Sequence, residues 1–421
     1  MRLTILCVGS HGDIRPYIAL GIGLKERGHE VTIGSHQKAK SLCDQYHLKF
    51  VLVDGDLTEL IGAERGHDIL WGSKGKKALQ FFGIMQEFNK ALKMQLPSSL
   101  EATMGADILI YSPAAFAGPH LGEYFGIPSY LINLQPEVRT KYHPSFFFEW
   151  LKYGGKIGCL LSHFLSEQQL WQPIRKEVNR WRVSQLGLKK MHFLGPKADK
   201  TTKDNPVIVA FSPSLVPRPR DWSKNIIMTT FLRVAEGQAW IPPQALSDFL
   251  SSGPILYLGF GSLTEACHPS IVQKMLSVLR KRKIKTVIQV NFPSLVISEL
   301  PPWIYPLTYA PHDWLFPKVS AVIHHGGVGT MAAGLYAGKP TFIIPFIVDQ
   351  STWGSLIGNM KMGPQPLPAF SFDETLFEER LLDLLSNPEY AEQARNIQSV
   401  LEGEKDGVER TIETILNARE N

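Results

Sequence analysis

In this chain of 421 residues, the run His324-His325-Gly326-Gly327-Val328-Gly329-Thr330 holds the residue types best suited to chemistry. It follows a short apolar stretch, 321–323, and precedes a stretch of helical character, 331–337. Glycines between a strand and a helix let the backbone come close to a ligand. The helix N-terminus adds unpaired N–H groups and a partial positive charge. The histidines and the threonine supply further donors, so the pattern suits an anion such as a diphosphate. The same glycines would also serve a tight turn that binds nothing, and the two histidines tip the balance toward the anion. The spacing is not G-x-G-x-x-G, so a dinucleotide fingerprint fits poorly.

Three other clusters could do chemistry. Gly259-Phe260-Gly261-Ser262-Leu263-Thr264 is a second glycine-rich turn with hydroxyls after a strand-like run. Asp349 and Gln350 lie in a turn after the run 341–344, and their acceptors and donors suit vicinal hydroxyls of a sugar, or a plain helix cap. Near the N-terminus, Ser10-His11-Gly12-Asp13 follows the first apolar run. Asp13 could take a proton from a hydroxyl as general base. An aspartate beside a helix start is also a common cap, and spacing alone favours the cap. His11 is a second base, a phosphate donor or a solvated loop residue. Asp54-Gly55-Asp56 has the form of a metal-holding triplet but is read as a turn.

These clusters need elements that position them. Runs 3–8, 31–33, 50–53, 107–111 and 129–132 read as strands with helical stretches between them, and Pro16 suits the first turn of the first helix. A second series follows at 255–258, 286–290, 321–323 and 341–344. The segment 143–190 is aromatic, basic and helical in character, and 213–243 is rich in proline. The expectation is α/β: two Rossmann-like, doubly wound domains facing across a cleft, with ligands at the carboxyl ends of the strands. The expected boundaries are 1–215, a linker at 216–245, a second domain at 246–400, and a C-terminal helix in 401–421 that returns to the first domain.

Composition sets the class. With 44% hydrophobic and 20% charged residues the chain is an ordinary globular protein, and a net charge of +5 suits phosphates without arguing for nucleic acid. Its four cysteines are scattered, which suggests neither a disulfide framework nor a zinc site. No signal-peptide pattern and no membrane-spanning apolar run is seen, so a soluble cytoplasmic protein is expected.

The motifs together are similar to those of a known family. The chain resembles the GT-B glycosyltransferases, and among them the sterol 3-beta-glucosyltransferase-like branch of the UDP-glycosyltransferases. The resemblance rests on His312-Asp313-Trp314-Leu315-Phe316-Pro317, the run 324–330, Ala332-Ala333-Gly334-Leu335, Ala337-Gly338-Lys339-Pro340, Pro345-Phe346 and Asp349-Gln350. In the N-terminal half it rests on Gly9 to Asp13, Pro16, Ala19-Leu20-Gly21 and Gly28-His29, whereas 143–245 matches weakly.

The resemblance implies that His324 contacts the donor diphosphate, helped by Gly326, by the backbone of Gly327, Val328, Gly329 and Thr330, and by Ser262. It implies that Asp349 and Gln350 hold the glucose hydroxyls, and that Tyr309, His312, Trp314 and Leu315 line the uracil pocket. Ser10 and Gly12 would also lie at the donor. Asp13 would be the general base, with His11 as its assistant. No residue is assigned to the ribose, because Ala332 and Ala333 stand where some relatives carry a glutamate. The implied activity is inverting transfer of glucose from UDP-glucose to a hydroxyl of an apolar small molecule or lipid, such as a sterol, a terpenoid or an aromatic alcohol. No metal or other cofactor is expected. The regions near 60–90 and 135–185 are expected to shape the acceptor pocket.

Two other classes stay open on the residues: a UDP-sugar epimerase of the same fold, and a non-catalytic, membrane-associated sugar-nucleotide-binding protein. The second is motivated by Phe146-Phe147-Phe148, Trp150, Trp171 and Trp181 among Lys152, Lys156, Arg175, Lys176, Arg180 and Arg182, and brings an expectation of peripheral membrane contact.

Overall fold

Short apolar runs with no polar alternation demand burial on both faces, which a parallel sheet between two helical layers provides. The computed structural model describes residues 1–57, 60, 71, 77–195, 206–237 and 240–417. Residues 61–70 and 72–76, part of the region expected to shape an acceptor pocket, lie outside the described residues. The described chain groups into two units. One contains the described residues up to Val234 together with the C-terminal stretch from Lys405. The other contains Trp71 and the described residues from Ala235 to Glu404.

The first unit holds a seven-stranded parallel sheet. Its strands are β1 (Arg2–Leu6), β2 (Glu30–Ser35), β3 (Lys49–Leu52), β4 (Ile108–Tyr111), β5 (Ser129–Asn133), β6 (Val207–Val209) and β7 (Ile226–Met228), in the order β3-β2-β1-β4-β5-β6-β7. Its helices are α1 (His11–Glu26), α2 (Lys40–Gln45), α3 (Lys77–Thr103), α4 (Gly118–Phe125) and α5 (Gly155–Ser184). Successive side chains of a strand point to opposite faces. Leu3 and Ile5 pack with Tyr17, Ile18 and Leu20 of α1, while Leu6 and Val8 pack with Leu96, Trp171 and Val178 of α3 and α5.

The second unit holds β8 (Leu256–Leu258), β9 (Thr286–Gln289), β10 (Ile304–Leu307), β11 (Ala321–His324) and β12 (Thr341–Ile343), all parallel, in the order β10-β9-β8-β11-β12. Its helices are α6 (Gln244–Leu250), α7 (Pro269–Arg282), α8 (His312–Leu315), α9 (Val328–Tyr336), α10 (Val348–Asn359), α11 (Glu374–Ser386) and α12 (Pro388–Glu402). Here too the two sheet faces feed two cores. Leu256, Leu258 and Ile323 pack with Ile271, Met275 and Phe377, while Tyr257, Val287 and Val322 pack with Leu246, Leu315 and Phe316. The last helix, α13 (Gly407–Asn417), lies on the first unit: Ile412 and Ile415 join its core and Tyr130 Oη donates to Ile415 O at 3.2 Å.

Two expectations are corrected and one strand is added. The segment 216–245, expected as a linker, contains β7. Its proline-rich turn is folded around Arg218, whose guanidinium donates to the carbonyls of Pro219, Trp222, Ser223 and Ile226. Strand β10 is additional to the runs read as strands, and it contains Pro306. It lies at the sheet edge, where a residue without an N–H is tolerated. Helix α1 begins at His11, so Pro16 sits in its second turn and not its first.

Candidate functional site

In each sheet the first strand has its successors on both sides, so the order reverses between β1 and β4 and again between β8 and β11. Crevices outside the carboxyl ends of strands form at such points. In the second unit the adjoining strands β8, β11 and β12 bring together the turn 259–264, the run 324–330 and the turn 345–350. The ladder continues past the strand ends and fixes their backbones. Gly259 N–H donates to Ile323 O at 3.1 Å and Ile344 N–H donates to His324 O at 2.9 Å.

His324 is the last residue of β11 and is fully buried. Gly326 N–H donates to its Nδ1 at 2.9 Å. Burial, reinforced by His325 and His312, holds its pKa well below the ordinary histidine range, so the ring is neutral. A neutral imidazole that accepts at Nδ1 carries its proton on Nε2. That Nε2–H is buried and has no partner among the described residues. An unpaired buried donor costs about 1–3 kcal/mol, and an anionic oxygen would satisfy it. His325 is also buried and neutral, its pKa pushed down to about 4 by desolvation, and its Nδ1 likewise lacks a partner among the described residues.

The chain turns sharply after the histidines. Gly326 has φ +96°, and a Cβ there would lie 2.9 Å from Ile343 Cγ2 and 3.1 Å from Gln350 Cβ, so only glycine fits. Helix α9 then starts at Val328 with Gly327 as its N-cap and no side-chain cap. Its first backbone bond is Met331 N–H to Gly327 O at 2.9 Å. Val328 and Thr330 are half-buried and Gly329 is exposed, so this uncapped helix start opens to solvent.

Ser262 is exposed on the neighbouring turn. One residue not singled out from sequence, Gln289, braces that turn. Gln289 Oε1 accepts from Gly261 N–H at 3.0 Å and from Thr264 Oγ1 at 2.8 Å, and Phe260 N–H donates to Thr264 Oγ1 at 3.2 Å. Gln289 ends β9 beside β8, and a polar side chain closing an apolar strand was the available signal. Trp71 was also missed. Its Nε1 donates to Ala266 O at 2.8 Å and its ring packs on Phe346 and Phe370.

Asp349 and Gln350 open α10 and divide their labour. Gln350 is buried, and its Oε1 accepts from the N–H groups of Phe346 at 2.8 Å and Ile347 at 3.2 Å. Its oxygen is therefore a helix cap, and only its amide N–H groups could meet a ligand. Asp349 is half-buried, with Oδ2 accepting from Trp353 Nε1 at 3.3 Å.

The stretch 309–315 is mixed. Tyr309 is half-exposed and its hydroxyl donates to Glu236 at 2.9 Å. Trp314 stacks edge-on against Trp240 at 4.8 Å, with Lys318 over its ring. His312 stacks on Phe316 at 4.4 Å. The Leu315 side chain is fully buried among Leu246, Val287 and Phe316, so it belongs to the core and leaves only its backbone for a ligand.

In the first unit, Asp13 and His11 are both exposed at the start of α1. Asp13 Oδ2 accepts from Ser10 N–H and Ser10 Oγ–H, both at 2.8 Å, so the N-cap is Ser10 and Asp13 is its partner in a capping box. Gly9 has φ +133°, and a Cβ there would stand 2.7 Å from Asp13 Oδ2, so Gly9 makes room for the carboxylate. Tyr17 Oη donates to Ile132 O at 2.6 Å and anchors the helix that carries Asp13. The pKa of His11 is lowered by partial burial and by Arg15 and Lys38. Gly12 is exposed beside it. Asp56, of the Asp54-Gly55-Asp56 turn, is buried and paired with Lys38 at 2.6 Å. Among the described residues no group of three or more His, Cys, Asp or Glu is placed to hold a metal ion.

The two parallel sheets, each with a reversal of strand order, have the two-domain GT-B fold. Solved structures share the fold. The calicheamicin glycosyltransferase CalG4 superposes with a TM-score of 0.70 at 17% identity, covering 99% of this chain and 98% of that one. The glycosyltransferase VinC, solved with dTDP, gives 0.68 at 16% identity and covers all of both chains. Residues 3–144 match the glycosyltransferase family 28 N-terminal domain. In sequence the chain is similar to sterol 3-beta-glucosyltransferases. It is 33% identical over 377 residues to a sterol 3-beta-glucosyltransferase of Candida albicans, and 32% identical over 435 residues to one of Aspergillus clavatus. These alignments cover 86% and 100% of this chain, which spans 24% and 30% of the relatives' own lengths.

Proposed function

We propose that this chain is an inverting glucosyltransferase that moves glucose from UDP-glucose to the hydroxyl of a sterol. The observation that carries the reading is the buried, unpartnered Nε2–H of neutral His324 beside the uncapped start of α9. The names of the relatives support glucose as the sugar and a sterol as the acceptor.

The acceptor oxygen attacks the anomeric carbon, the bond from that carbon to the diphosphate breaks, and the acceptor's proton passes to Asp13. The proton goes to Oδ1, because Oδ2 already accepts from Ser10 N–H and Oγ–H. His324 Nε2–H and the N–H groups at the start of α9 stabilise the charge that builds on the departing diphosphate, so no metal is needed for that step. Asp349 accepts from glucose hydroxyls, with the Gln350 amide beside it. Tyr309 and Trp314 flank the base. Attack opposite the leaving group turns an α-linked donor into a β-glucoside. We assign the protein to a reducing cytoplasm, a reading supported by its four free, buried cysteines.

The test is incubation of the purified chain with UDP-glucose and a 3β-hydroxysterol, followed by mass spectrometry. A sterol glucoside with release of UDP is the expected product. Isomerised UDP-sugar formed without acceptor would instead make the protein an epimerase.

A further inference from the structure

Apolar side chains on a water-facing helix are normally scattered singly, and a continuous exposed set marks an interaction surface. Such a set sits where a 3-10 helix (Phe146–Gly154) meets the start of α5. Trp150 is 66% exposed, Tyr153 86% and Ile157 80%, and Phe147, Leu160 and Leu161 are exposed as well. Trp150 and Tyr153 are three apart and share one face of the 3-10 helix. Ile157, Leu160 and Leu161 have i, i+3, i+4 spacing and share one face of α5.

The two rows are braced from behind. Gly158 brings α5 against the 3-10 helix so closely that a Cβ there would stand 2.1 Å from Leu151 O. Ser145 N–H donates to the buried Ser162 Oγ at 2.8 Å. The exposed rings and chains are thus presented by a built support and face away from it.

The segment carries a net positive charge, although Asp221 and Glu137 accept from the backbone N–H groups of Lys141 and Phe146. Residues 141–161 contain three lysines, Lys141, Lys152 and Lys156, against a single acid, Glu149, which bonds Lys152. Lys141 and Lys152 lie over the rings of Tyr142 and Tyr153 at 5.7 and 5.6 Å. Aromatic and aliphatic side chains ringed by lysines match the boundary between headgroups and acyl chains of an anionic bilayer, where the rings sit at the interface and the ammonium groups meet phosphate. Among the described residues no helix is long and apolar enough to cross a membrane.

We propose that the Phe146–Gly154 turn and the first turns of α5 form a docking surface for an anionic lipid bilayer, with Trp150, Tyr153 and Ile157 inserted and Lys152 and Lys156 at the headgroups. The proposal does not rest on the transferase reading, and vesicle binding is measured without either substrate.

The purified chain is sedimented with vesicles of phosphatidylcholine alone and of an equimolar phosphatidylcholine–phosphatidylserine mixture. Wild type is expected to sediment with the mixed vesicles more strongly than with phosphatidylcholine. The triple variant Trp150→Ser/Tyr153→Ser/Ile157→Ser should bind mixed vesicles more weakly by roughly tenfold or more. Lys152→Ala/Lys156→Ala should lose the preference for phosphatidylserine by about fivefold per lysine. Ile241→Ser, which removes an equally exposed side chain of the second unit, should sediment as wild type. Unchanged circular dichroism shows that each variant is folded. Wild type that stays in solution with both vesicles, or a folded triple variant that binds as wild type does, overturns the proposal. A dimer seen by ultracentrifugation without lipid, and lost in the triple variant, also overturns it, because the surface would then be covered by a second copy.

Discussion

Asp13 has two roles here, a helix cap seen in its bonds and a base inferred from the reaction, and Asp13→Asn separates them. The amide keeps an oxygen where Oδ2 accepts from Ser10 N–H and Ser10 Oγ–H at 2.8 Å. What capping loses is mainly the negative charge near the helix start, worth about 0.3–1 kcal/mol. For a unit of this size that is a fall in Tm of about 1–4 °C. The base is lost outright, because an amide does not take a proton at neutral pH. Removing a general base costs roughly 10²–10⁴ in kcat, or about 3–5 kcal/mol of barrier. Asp13→Ala removes both functions and should add about 0.5–2 kcal/mol of lost stability to the same fall in rate. The assay is kcat for glucoside formation by mass spectrometry, with Tm by calorimetry and UDP affinity by titration on the same preparations. UDP affinity should not change. If Asp13→Asn turns over within about threefold of wild type, far short of a general-base effect, Asp13 is a cap only and the proton goes elsewhere.

His324→Ala removes the buried donor proposed for the diphosphate. UDP should bind roughly tenfold to a hundredfold more weakly, as expected for a hydrogen bond to a charged group. Because burial keeps this imidazole neutral, wild-type UDP affinity should show no histidine step between about pH 6 and 8. A step that vanishes in His324→Ala would show that the charged ring binds. Acid should also destabilise the fold. Burial lowers His120 to about 3, with Arg182 adding to it, and lowers His163 and His325 to about 4. Below the unfolded value of 6.5 the unfolded chain takes up protons that the folded chain refuses, so stability present above that pH is lost on the way down to the folded values. Each group contributes on the order of a few kcal/mol. Denaturant midpoints should fall steadily from about pH 6.5 to 4, and midpoints that do not move would contradict neutral burial.

Much of the architecture was legible because burial on two faces imposes continuous apolar runs on strands. β1 to β5, β8, β9, β11 and β12 all lie on runs readable in this way. β6, β7 and β10 were not read, since three residues give no period and Pro306 argues against a strand until its edge position is known. The donor-like runs were legible for a related reason: a parallel sheet delivers whatever follows its strands to one edge, so a glycine-rich run after an apolar run already has its address. Residue types alone also carried the chemical menu of acids, amides and imidazoles.

Only the tertiary structure decided which atoms of those groups are available. The orientation of a side chain depends on neighbours distant in the chain. It is Gly326 N–H that fixes the tautomer of His324 and burial that keeps the ring neutral. Packing turns the Gln350 oxygen to a cap and Leu315 to the core. Gln289 is drawn into bracing the 259–264 turn because β9 lies beside β8. Sequence named the groups, and strand order, packing and backbone hydrogen bonds decided what each group can offer a ligand.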